Sequence, residues 1–127
     1  MVKLDHLVLT VREIDRTVSF YEGCLGMEKV VFGDNRVALN FGGGKINLHQ
    51  AGKEFEPKAL RPTPGSADLC FVTEEPLAEV DLRLREQGID IIEGPVRRTG
   101  SVGPILSVYI RDPDLNLIEI ANNIVER

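Results

Sequence analysis

Four side chains in this sequence have the chemistry to hold a divalent ion: His6, His49, Asp68 and Glu119. Glu119 stands in the apolar run Leu117–Ala121, where it shares a pleat face with Leu117 and Ala121. An ionised carboxylate among aliphatics costs several kcal/mol unless a cation or hydrogen-bond donors compensate it. His6 poses the same question at the other end of the chain, inside the apolar strand Leu4–Val11. Two histidines and two carboxylates form a nitrogen and oxygen donor set suited to a first-row divalent metal, with coordination positions left for substrate or water.

The elements that must position these groups follow one plan twice. The first copy reads as strand Leu4–Val11, then a helix with Asp15 as its N-cap, Phe20-Tyr21 on its apolar face and Gly23 to Gly26 ending it. Strands Lys29–Phe32, Val37–Phe41 and Lys45–His49 follow, the last two separated by the Gly42-Gly43-Gly44 turn. That glycine run precedes a strand and lacks a phosphate-loop signature, so it reads as a hairpin turn. Residues 58–66 (KALRPTPGS) read as a linker.

The second copy opens with strand Ala67–Thr73, then a helix that starts at Pro76, carries Leu77, Val80 and Leu84 on one stripe and closes at Gly88. Strands around Ile89–Ile92, Ser107–Arg111 and Leu117–Ala121 complete it, with a loop over Arg98–Pro104. The expected fold is therefore α+β: a single domain over 1–127, with βαβββ modules at about 1–57 and 67–127 forming a curved mixed sheet around a central metal cleft. Superposing first strands pairs His6 with Asp68, and superposing last strands pairs His49 with Glu119.

Composition narrows the function classes. With 43% hydrophobic and 28% charged residues the chain has a globular rather than a disordered balance. A net charge of −5 without a basic stripe argues against nucleic acid as a partner. Apolar runs are strand-sized, which argues against a membrane span, and no cleavable signal opens the sequence. Cys24 and Cys70 lack CxxC spacing and read as buried free thiols in a reducing cytoplasm.

Four stretches resemble a known family: DHLVLTV in the first strand, SFYEGCLGMEKV across the first helix and its exit, INLHQ in the fourth strand and YIRDPDLNLIEI at the end. Together they span nearly the whole chain and resemble the vicinal oxygen chelate superfamily, which includes glyoxalase I, methylmalonyl-CoA epimerase, extradiol dioxygenases, fosfomycin-resistance proteins and bleomycin-binding proteins. The resemblance implies paired βαβββ modules, a homodimer, a small-molecule substrate and metal ligands at His6, His49, Asp68 and Glu119. Two positions depart from the family pattern. Asp68 stands where histidine is usual, and Leu115 stands where the last turn usually carries glycine, so that turn is expected to be reshaped.

The chemistry implied is that of a glyoxalase I-like lyase, isomerase or epimerase. One divalent ion (Ni, Zn, Mn, Co or Fe) would chelate vicinal oxygens of a carbonyl substrate and stabilise an enediolate, with Glu119 as base and Asp68 as second choice. Without Asp68 as a ligand, His6, His49 and Glu119 form the two-histidine, one-carboxylate set of an Fe(II) ring-cleaving dioxygenase. A non-catalytic protein that sequesters a drug or metabolite is the third reading. Simpler roles exist for each residue: core histidines, a turn aspartate at Asp68, and a Glu119 paired with Arg111. Lys58, Arg61, Arg97 and Arg98 could clamp an anionic substrate such as glutathione or a CoA thioester, or be solvated surface charges.

Overall fold

In a computed structural model of the chain, residues 1–125 are described. They divide into two compact units. The first comprises Met1–Ala67 with Pro113–Leu115, and the second Asp68–Asp112 with the strand that begins at Leu117.

In the first unit, β1 (His6–Val11) leads into α1 (Ile14–Leu25), followed by β2 (Glu28–Phe32), β3 (Arg36–Phe41) and β4 (Gly44–Gln50). The strands form one mixed sheet in the order β1-β4-β3-β2, with β1 parallel to β4 and the other pairs antiparallel. α1 buries Thr17, Val18, Tyr21 and Cys24, a stripe at helical spacing, and lies against β2, β3 and β4. Its N-cap is Glu13, two residues before the expected Asp15, which sits in the first turn where a carboxylate favours the helix dipole. Gly26 ends the helix in a left-handed conformation, and its N–H bonds the carbonyl of Glu22.

In the second unit, β5 (Asp68–Val72), α2 (Leu77–Glu86), β6 (Glu93–Thr99), β7 (Pro104–Arg111) and β8 (Leu117–Asn123) repeat the plan, in the order β5-β8-β7-β6. The α+β class and the doubled βαβββ module are as the sequence indicates, built as two four-stranded mixed sheets. Leu77, Val80 and Leu84 form the buried stripe of α2. Pro76 offers the helix no side-chain cap, and Asn122 on β8 does the work instead. Its Oδ1 accepts from the Leu77 N–H at 2.8 Å, and its Nδ2 donates to the carbonyls of Thr73 and Glu75. Every polar atom of that amide is thereby matched to a backbone group left over at the helix start.

One expected strand moves. Ile89–Ile92 lies before the sheet, and β6 runs over Glu93–Thr99, its last two residues taken from the expected Arg98–Pro104 loop. The cause is Gly94-Pro95, where the ladder to β7 shifts between Glu93 and Val96. β6 is an edge strand, so a proline without an N–H is tolerated at such a bulge. Gly94 adopts φ 109°, and a Cβ there would stand 2.4 Å from the Ser107 carbonyl oxygen.

The turn into β8 is not reshaped to avoid Leu115. The leucine takes φ 69°, and buried polar groups hold it there. The Asp112 carboxylate accepts the Asn116 N–H at 3.0 Å and its side-chain amide at 2.8 Å. Asp114 accepts the Arg12 N–H at 3.1 Å.

Candidate functional site

Side-chain alternation places His6, Val8 and Thr10 of β1 on one face of the first sheet, together with Lys45, Asn47 and His49 of β4. His6 lies at the strand's start with 45% of its side chain exposed. Its Nδ1 donates to the Asp5 carboxylate at 2.8 Å, leaving Nε2 as the ring's ligating atom. That hydrogen bond is the main reason the Asp5 carboxyl lies below its usual range.

His49 has the opposite surroundings. Only 4% is exposed, Phe55 covers it edge-on at 5.5 Å, and its Nε2 has no hydrogen-bond partner. Burial pushes its pKa down, with Arg36 adding to the effect and Glu54 opposing it, so the ring is neutral. Asn47, one pleat away, is also buried and its Oδ1 also lacks a partner.

The β1–β4 register sets His6 opposite Lys45 and His49 opposite Thr10. The two histidines are therefore four positions apart along parallel strands, roughly 13 Å at the usual strand rise. The same register corrects the pairing of the two halves. In the second unit Asp68 stands opposite Leu117 and Glu119 opposite Cys70. His6 and Asp68 are equivalent, as superposition of first strands indicates, but the counterpart of Glu119 is Asn47, and that of His49 is Ala121.

On the second sheet, Asp68 is exposed at the start of β5 and Glu119 is half-buried between Cys70 and Tyr109 of the neighbouring strands. Glu119 takes its hydrogen bond from a hydroxyl rather than from the Arg111 guanidinium: Ser107 Oγ donates to Oε2 at 2.5 Å, and the Cys70 thiol stands opposite on β5. Burial, then the charge and hydrogen bond of Glu119, push the Cys70 thiol up to about 11. Cys24 is buried as expected, but Cys70 is exposed, opposite Glu119 on the second sheet. Cys70 and Glu119 line a pocket of about 640 Å³ whose wall also carries Ile105, Arg98 and Tyr109. Arg98 donates to the Tyr109 hydroxyl at 3.1 Å and to Glu93 at 3.0 Å.

The four expected donors are thus divided, with His6 and His49 in the first unit and Asp68 and Glu119 in the second. Among the described residues no three His, Cys, Asp or Glu side chains gather as a metal cluster. The donor chemistry suits a divalent ion, and the unsatisfied His49 Nε2 is a free ligating atom, but neither sheet face alone completes a set.

Residues 3–120 match the Glyoxalase/Bleomycin resistance protein/Dioxygenase superfamily. The chain belongs to this superfamily. It is 60% identical over 119 residues to the glyoxalase domain-containing protein RDO1 of Mycosarcoma maydis, covering 94% of this chain and 67% of that one. Virulence protein STM3117 of Salmonella typhimurium is likewise 60% identical over 119 residues, covering 94% and 83%. The crystal structure of that virulence protein superposes with a TM-score of 0.95 at 58% identity, covering 98% of each chain. A lactoylglutathione lyase from Agrobacterium tumefaciens, 22% identical with a TM-score of 0.71 over 95% and 93% of the two chains, shares the fold. No helix among the described residues is long and apolar enough to cross a membrane.

Sequence reasoning did not find Ser107, Asn47, Arg36 or Lys45. Parity with His49 and Glu119 along and across the strands was the available signal, and it needs the register to be read.

Proposed function

We propose that this chain is a divalent-metal-dependent lyase or isomerase of the glyoxalase I kind, acting on a small carbonyl substrate with vicinal oxygens. It works as a cytoplasmic homodimer, with Glu119 as the base. The observation that carries the reading is the setting of Glu119 on a pocket of about 640 Å³, oriented by the Ser107 hydroxyl.

His6, Asp68 and Glu119 are the proposed donors. His49 enters the set less readily, because the register carries it away from His6. A bound ion would supply Lewis-acid polarisation of the substrate's oxygens. The protein's own contribution is positional. Ser107 fixes one carboxylate oxygen, so Glu119 can take a proton from the carbon beside the carbonyl and return it to the neighbouring atom. Tyr109 and Ile105 narrow the pocket around the reacting carbon.

The dioxygenase reading needs His6 and His49 as adjacent ligands, and a separation of roughly 13 Å along the strands speaks against it. Sequestration without catalysis would leave the oriented carboxylate without a task.

Elemental analysis of the purified protein, His6→Ala and Glu119→Gln is the test, joined to proton–deuterium exchange on a panel of hemithioacetals and α-hydroxycarbonyls. The expected result is a stoichiometric divalent ion that is lost in His6→Ala. Exchange should fall about a hundredfold or more in Glu119→Gln. Absence of metal, or full exchange in Glu119→Gln, would overturn the proposal. Oxygen uptake with catechols under Fe(II) would favour the dioxygenase.

A further inference from the structure

The pocket beside Glu119 is built on the second sheet alone, and it holds few charges. Among the described residues that line it, Glu119 is the one carboxylate and Arg98 the one cation. The rest of the wall is neutral, with Val72, Val102 and Ile105 as apolar groups and Thr99, Ser101 and Asn123 as uncharged polar ones. Arg98 has a partner at each of its three guanidinium nitrogens. Nη2 donates to Glu93 at 3.0 Å, Nη1 to the Arg97 carbonyl at 3.2 Å and Nε to the Tyr109 hydroxyl at 3.1 Å. With Glu93 included, two carboxylates stand around one guanidinium, and an anionic ligand would meet net repulsion. The anion clamp open to Arg98 in the sequence is thereby closed to it.

Tyr109 is the group that this arrangement prepares. The β7–β8 register sets it directly opposite Glu119, and both side chains line the pocket. The Arg98 guanidinium lies 5.6 Å from the centre of the Tyr109 ring as well as on its hydroxyl, which fixes the half-buried phenol in place. A phenolic oxygen that accepts from a guanidinium keeps its own proton to give. Among the described residues no hydrogen bond takes that proton, and the neighbouring Glu119 accepts from Ser107 instead.

We propose that the Tyr109 hydroxyl donates to an oxygen of the substrate, and that Glu93, by holding Arg98, restricts the pocket to uncharged hydroxycarbonyl compounds. The donor sits beside the base, so it meets the oxygen on which negative charge grows as Glu119 takes the proton from the adjacent carbon. Arg98 and Glu93 are positioning residues: the first orients the phenol, and the second cancels the charge that would otherwise draw a carboxylate or phosphate. As a choice of substrate class this rests on the function proposed above. As a binding preference it stands on one sheet and one pocket.

The test is an amide NMR titration of the full-length, chelator-treated protein with hydroxyacetone and with pyruvate, which share a three-carbon skeleton but differ in charge. The expected result is saturable shifts at Ile105, Tyr109 and Glu119 with hydroxyacetone, and binding of pyruvate that is about tenfold weaker or worse. Tyr109→Phe keeps the ring and should weaken hydroxyacetone about tenfold, the scale of one hydrogen bond. Glu93→Gln lies at the exposed rim, so it reports even if Tyr109→Phe fails to fold, and there pyruvate should gain severalfold. A wild-type preference for pyruvate, unchanged hydroxyacetone affinity in Tyr109→Phe, unchanged pyruvate affinity in Glu93→Gln, or no saturable binding overturns the proposal. Full proton exchange in Glu119→Gln, with hydroxyacetone still lost in Tyr109→Phe, would uphold the pocket while removing the proposed reaction. Exchange lost in Glu119→Gln but untouched in Tyr109→Phe would do the reverse.

Discussion

Cys70 stands directly opposite Glu119 in the parallel pairing of β5 and β8, so the exposed thiol lies beside the carboxylate that the proposed chemistry needs. Burial and the neighbouring negative charge both favour the protonated thiol, and its pKa rises to about 11 from 9.0. Only the thiolate attacks alkylating agents, so Cys70 should react about a hundredfold more slowly than an unperturbed cysteine at pH 8. Glu119→Gln removes the charge and should accelerate labelling, while buried Cys24 stays silent in both proteins. Mass-resolved iodoacetamide kinetics in the presence of a chelator measure this. Equal rates in the two proteins would show that the carboxylate does not govern the thiol.

His49 makes stability depend on pH in a definite direction. Its folded pKa lies below the ordinary 6.5, chiefly through burial and secondarily through Arg36. Between the folded and unfolded values the unfolded chain binds the additional proton, so stability rises with pH across that window. The contribution is fully present above the unfolded pKa and is lost as pH falls through the folded one. Thermal melts of the chelator-treated protein should therefore drop as pH falls below about 6.5. His49→Gln should flatten this dependence while keeping a side chain that can fill the space under Phe55. A parallel fall in both proteins would assign the effect to another group.

The doubled module was legible because its signals are local: apolar alternation in strands, a stripe at Leu77, Val80 and Leu84, and glycines at element ends. His6 and Asp68 could be matched because each opens its half. The pairing of His49 with Glu119 failed because equivalence on β4 and β8 depends on the parallel register with β1 and β5, which local pattern does not encode. The same holds for Arg36 and Lys45, which meet over Phe32 only when three strands are aligned. The Ile89–Ile92 strand was misplaced because apolar content outweighed a proline that, at an edge bulge, did not exclude pairing.

Leu115 offers a direct measure of strain in the turn that delivers β8. Its φ of 69° is a left-handed conformation that costs a non-glycine residue about 1–2 kcal/mol. The side chain is 62% exposed, so truncation forfeits little burial. Leu115→Gly relieves the strain but adds freedom to the unfolded chain, a penalty of about 0.4–1 kcal/mol. The net expectation is a gain of up to about 1 kcal/mol, seen as a Tm higher by several degrees. Asn116→Ala should act in the opposite sense, because it strips the Asp112 carboxylate of a buried donor at 2.8 Å. That loss should lower stability by about 1–3 kcal/mol. Denaturant unfolding of both variants separates the two effects. A destabilised Leu115→Gly would mean that the leucine side chain contributes more through contact than its backbone loses through strain.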